Sequence, residues 1–130
     1  MTTYIVDTHA LVWFLEKNPR LTDNAKSSLT DTNAQIILPT IVLTELIFLY
    51  AKKKTSINLP AVLSQVASST NCVVYPLDEE VVLRISPSLD IHDSIIVATG
   101  LVFRDLMGQD VAVITKDEKI RNSGQINTIW

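Results

Sequence analysis

Four of the fourteen acids in this chain stand beside apolar runs rather than among polar neighbours. Asp7 closes "YIV", Glu45 lies within "IVLTELIFLY", Asp93 heads "SIIVATG", and Asp117 follows "VAVIT" by two residues. Carboxylates are seldom fully buried without a partner, and several close together repel one another unless a cation neutralises them. A hard divalent ion with oxygen ligands, Mg2+ or Mn2+, is the natural occupant of such a cluster. The chemistry this opens is that of a bound Lewis-acid metal, which needs no nucleophilic side chain. That suits a chain in which no Ser–His–Asp or Cys–His set stands out.

Each acid also has a plainer reading. Asp93 is a candidate N-cap, as is Asp117 in "TKDEKI", because Asp accepts readily from the free N–H groups of a first helical turn. Asp7 in "DTHA" fits a strand-to-helix cap but opens directly from an apolar strand. Glu45 has no capping role, and burying an acid among Ile, Leu and Phe without a partner is costly. Of the rest, Asp23, Asp78, Glu79 and Glu80 fall at helix starts, where the macrodipole favours negative charge. Glu16, Asp31, Asp105, Asp110 and Glu118 sit among polar residues. His9 and His92 have no spacing that links them as a ligand pair, and they read as surface or packing residues.

The elements that must position these acids alternate. "TYIVD", "AQIIL", "CVVYPL", "VAVIT" and "INTIW" read as five strands, several continuously apolar, as a parallel sheet covered on both faces requires. Helical patterns lie between them: "THALVWFLEK", "LTDNAKSSLTD" with Thr22 or Asp23 as cap, "TIVLTELIFLYAKKK", "NLPAVLSQVASS", "DEEVVLRIS" and "DSIIVATGLVFRDL". Strand–helix alternation gives an α/β fold with a mostly parallel sheet. Asp7 and Asp117 then fall at carboxyl ends of strands, the edge where open α/β sheets bind ligands. Helices that follow strands start at that edge, which brings Glu45 and Asp93 toward the same place.

Bulk properties narrow the field. A chain of 130 residues with 47% hydrophobic and 19% charged residues is expected to form one globular domain, residues 1–130. Three glycines and no Gly-rich run exclude a phosphate-cradling loop. The opening "MTTYIVDTHA" lacks the basic start of a secretory signal, and the longest apolar stretch is interrupted by Glu45, so no membrane span is expected. Cys72, the single cysteine, permits no internal disulfide. A cytoplasmic protein is the expectation. The net charge of −3 disfavours non-specific nucleic-acid binding, but Lys52, Lys53, Lys54 and Lys116, Lys119, Arg121 form two local basic groups. Beside an acidic site they can still hold a polyanion; the lysine triplet fits a solvated helix C-terminus equally well.

At this point the chain resembles a known family, the PIN-domain nucleases, and within it the VapC-like toxins of toxin–antitoxin pairs. The carriers are "YIVDTHALVWFL", "LTEL", "IHDSIIVATGL" and "VITKDEKI", spread over essentially the whole chain. The resemblance implies a three-layer PIN-like fold with a central five-stranded sheet. It implies that Asp7, Glu45, Asp93 and Asp117 surround Mg2+ or Mn2+ and hydrolyse RNA phosphodiesters, with Asp90 and Thr115 supporting them. Ser94 stands where many relatives have Arg, which removes a contact to substrate or acid. A homodimer and a cognate antitoxin whose tail covers the acids are implied too. Two further classes compete: a non-catalytic PIN-like module that binds a partner, and a receiver-like phosphoacceptor domain. The latter needs an acid after a central strand, where "AQIIL" is followed by Pro39 and Thr40. A haloacid-dehalogenase-like phosphatase needs a second acid where His9 stands.

Overall fold

The computed structural model describes residues 2–130. Its elements are β1 (Thr2–Val6), α1 (Thr8–Glu16), α2 (Asp23–Leu29), β2 (Gln35–Pro39), α3 (Thr40–Ala51), α4 (Leu59–Ser68), β3 (Cys72–Tyr75), α5 (Glu79–Val82), α6 (Ile91–Leu101), β4 (Asp110–Ile114), α7 (Glu118–Asn122) and β5 (Asn127–Ile129). The five strands form one sheet in the order β3-β2-β1-β4-β5, and every pairing is parallel. Consecutive residues Ile36–Pro39 and Val111–Ile114 are all buried. Neighbouring side chains on a strand point to opposite faces, so both faces of the sheet are covered and the fold has three layers. Cys72 lies in β3 and packs against the core.

Register explains why the functional edge exists. Val6 pairs with Ile114 and Ile114 with Ile129, so the next residues along, Asp7, Thr115 and Trp130, leave the sheet side by side. Asp7 N–H extends the ladder by donating to the Ile114 carbonyl at 3.3 Å. β2 runs straight into α3 through Pro39, which occupies the N-cap position with no side-chain cap.

Several expectations are adjusted. The helix read from Asp93 begins at Ile91, and its N-cap is Asp90, whose side chain accepts from the Asp93 N–H at 2.9 Å. Asp93 is therefore in the first turn and free of the capping role. The helix read over "DEEVVLRIS" is a single turn, Glu79–Val82, with Asp78 as cap. The far end of α6 widens into a π-helical turn, Val102–Leu106, which keeps Val102 and Phe103 buried. α3 buries one side: Val42, Leu43 and Leu46 face the core, while Ile47 and Phe48 are 48% and 61% exposed. In α6, by contrast, every residue from Ser94 to Gly100 is buried. Gly100 matters there, since a Cβ at that position would stand 2.5 Å from Ile126 Cδ1 and 3.3 Å from Ile5 Cγ1. Its absence lets α6 lie close against the sheet.

Candidate functional site: an acidic cleft at the carboxyl edge of the sheet

Asp7 is the N-cap of α1, with Oδ1 accepting from the Ala10 N–H at 2.8 Å. Only 8% of the residue is exposed, and this burial pushes its carboxyl above the ordinary carboxylate range. The charge of Asp117 adds to the rise, while Thr115, the Ala10 amide and His9 oppose it. Asp117 caps α7 by accepting from the Ile120 N–H at 3.0 Å, and its own N–H donates to the fully buried Thr115 hydroxyl at 3.0 Å. The cap readings for Asp7 and Asp117 thus hold, and capping is what fixes both carboxylates at this edge.

Glu45 reaches the same edge from the second turn of α3. Its Oε1 accepts from the Thr8 hydroxyl at 2.9 Å, and its Oε2 lies 3.4 Å from His92 Nδ1. The acid that lacked a capping role is therefore held from two sides. Asp93 is perturbed too, and its neighbours all push the same way. Partial burial first, then the charges of Asp117, Asp90 and Glu45, push its carboxyl up to about 6. Two acids that resist ionisation, in one place, mark a site short of positive charge.

Asp7, Glu45, Asp93 and Asp117 line a single cleft of about 580 Å³, together with Asp90, Lys116 and Arg121. Lys119 and the triplet Lys52–Lys54 do not line it; Lys53 and Lys54 border a separate groove with Glu16 and Tyr50. Ser94 is buried and its hydroxyl donates to the Ile91 carbonyl of its own helix at 2.9 Å, so it offers nothing to the cleft. Thr115 supports Asp117 from beneath. The lining also includes residues outside the sequence-derived candidates, notably Thr8, His9, His92, Trp13 and Trp130. Thr8 and His92 are chain neighbours of Asp7 and Asp93, a signal within reach. Trp130 is placed only by the register of β5.

The donor chemistry suits a hard divalent cation, being all carboxylate oxygen in a setting that disfavours their uncompensated charge. The acids line the walls of the cleft; among the described residues no group of three or more His, Cys, Asp or Glu side chains is already drawn together as a cage. No helix among the described residues is long and apolar enough to cross a membrane.

The family profile described as the PIN domain matches residues 4–124. No curated protein matches the chain. Among solved structures, VapBC2 from Rickettsia felis bound to a DNA fragment from its promoter superposes with a TM-score of 0.65 at 14% identity, covering 99% of this chain and 98% of that one. A toxin–antitoxin complex from Klebsiella pneumoniae gives 0.64 at 19% identity, covering 100% and 97%. VapBC-1 from nontypeable Haemophilus influenzae gives 0.63 at 14%, covering 99% and 97%. At these identities the likeness is one of fold.

Proposed function

We propose that this chain, which belongs to the PIN domain family, is a metal-dependent endoribonuclease and the toxin of a toxin–antitoxin pair. The observation that carries the reading is Asp93, pushed up to about 6 by burial and by three other acids of one cleft. A cluster of that kind is a poor design for a purely structural surface and a good one for a cation. Mg2+ or Mn2+ held by Asp7, Asp93 and Asp117 would supply a polarised phosphate and a bound water of lowered pKa.

The chain's own residues do the remaining work. Glu45, fixed by Thr8 and His92, presents a carboxylate to orient the attacking water. The caps at Asp7 and Asp117 hold two carboxylates without spending side-chain freedom at the moment of reaction. Lys116 and Arg121 at the rim contact phosphates and position the strand without reading its sequence. Asp90 holds the first turn of α6, and with it Asp93. The complexes formed by the structural neighbours support an antitoxin partner. The exposed Ile47 and Phe48 of α3 support self-association as a homodimer, and the cytoplasm is the setting in which such a pair acts.

Incubation of a mixed RNA pool with and without Mn2+, for the wild type and Asp93→Asn, tests the reading. Cleavage that needs both the ion and the carboxylate is expected. A wild type that binds no Mn2+ by calorimetry and cuts nothing overturns it in favour of a non-catalytic binding module.

A further inference from the structure

Beside the acids, the cleft holds a cluster of rings. His9 and Trp13 have centroids 5.5 Å apart, tilted by 54°, and Trp13 and Trp130 are 5.8 Å apart, tilted by 57°. Two cations lie against the same indole: Lys116 Nζ and Arg20 Cζ are each 5.7 Å from the Trp13 centroid. His9, Trp13, Trp130 and Lys116 all line the acidic cleft. The arrangement follows from the fold. His9 and Trp13 are one helical turn apart on α1, and Trp130 leaves β5 beside Thr115.

Trp13 packs partly against the core. Besides the acidic cleft, it lines a second groove of about 770 Å³ whose walls include Lys17, Asn18, Asp23, Lys26 and Thr30. The indole thus borders both the acidic cleft and the neighbouring groove.

We propose that Trp13, flanked by Trp130 and His9, is a stacking platform for an unpaired RNA base, with Lys116 and Arg20 receiving the adjoining phosphates. The proposal rests on the RNA-cleaving reading for its choice of ligand but uses none of the acids. An indole stacks on any base because every base has a π-face, and cations beside it hold the backbone. Both cations are exposed side chains, able to turn from the ring to a phosphate when a base takes their place. A duplex keeps its bases stacked on each other and offers no free face. The substrate this site selects is therefore single-stranded or looped, and the platform fixes which phosphate meets the acids.

The test is binding in EDTA, where no cutting occurs, of labelled single-stranded RNA by anisotropy, with a duplex of the same sequence beside it. Trp13 and Trp130 are the only two tryptophans, so quenching of intrinsic fluorescence reports on the platform directly. The wild type is expected to bind the single strand with quenching and the duplex far more weakly. Trp13→Leu, its fold verified by circular dichroism, is expected to lose at least about tenfold in affinity, whereas Trp13→Phe, which keeps a π-face, stays within about threefold. Wild-type affinity in Trp13→Leu, equal loss in Trp13→Phe, or duplex binding equal to single-strand binding would each overturn the proposal. So would quenching by an acidic peptide but not by RNA, which would assign the rings to a protein partner. The two readings fail separately. Mn2+-dependent cleavage with Kd and KM unmoved in Trp13→Leu sinks the platform alone. Trp13-dependent binding without cleavage by the wild type sinks the nuclease alone.

Discussion

Replacing Asp93 by asparagine should stabilise the metal-free protein at neutral pH. The carboxyl of Asp93 is held at about 6 against an ordinary 3.8. The folded state therefore keeps a proton that the unfolded chain releases, and stability falls as pH rises from about 3.8 through about 6. At about 1.4 kcal/mol per pKa unit, the full gap of about 2 corresponds to about 3 kcal/mol. Asp93 is only partly buried and solvent screens its neighbours, so about 1 kcal/mol is the working figure. The amide introduced by Asp93→Asn does not titrate. The difference between the two proteins in urea melts with EDTA should thus grow by about 1 kcal/mol between pH 4 and pH 7, or about 4 °C in Tm. Interactions indifferent to charge, such as packing of the first turn of α6, cancel in that comparison. Saturating Mn2+ at pH 7 should invert the order, since an ion at a hundred times its Kd adds about 2.7 kcal/mol to the protein that binds it. A difference that does not change with pH, or that grows in the opposite direction, refutes the electrostatic account of the cleft.

Asp7→Asn keeps a good N-cap and removes a buried charge, so it should abolish cleavage while leaving thermal stability unchanged or raised. Asp7→Ala should lose cleavage and also about 1 kcal/mol of stability from the missing cap, read by the same melts. Thr8→Val deletes the hydrogen bond that orients Glu45; it should lower kcat more than it raises KM and cost about 1 kcal/mol. Neutralising Lys52, Lys53 and Lys54 together should leave cleavage of a short RNA unchanged, because they stand outside the cleft. Lys116→Ala with Arg121→Ala should raise KM and flatten its salt dependence.

The parts of this fold legible in the sequence are those written in consecutive residues. β2 and β4 are continuous apolar runs, and their burial on both faces is what such runs mean. Asp7 and Asp117 can be placed at the sheet edge because a strand end and a helix start meet there within two or three residues. The cap of α6 lies three residues before the acid that hydropathy singles out, although "DIHD" carries the spacing of an N-cap acid followed by a first-turn acid. Which side of α3 is covered is not legible, because hydropathy records what a helix could bury and says nothing about whether a neighbour is present to cover Phe48. The pairing of Trp13 with Trp130, and the grip of Thr8 and His92 on Glu45, depend on strand order and register. No local pattern specifies these, since the residues involved are far apart along the chain.

The order of the sheet has a consequence for synthesis. β1 is made first but lies in the middle, with Thr3 in register with Gln35 on one side and Thr2 with Asp110 on the other. A nascent chain that has reached only the end of α6 can pair β3, β2 and β1, yet it leaves one side of β1 open as an unprotected edge. It also lacks Asp117 and Trp130, and so has neither the last acid nor half of the paired indoles. Such non-local pairing is slow to form. The acidic cleft is therefore completed only when β4, α7 and β5 dock, and a chain interrupted before them has no finished cleft.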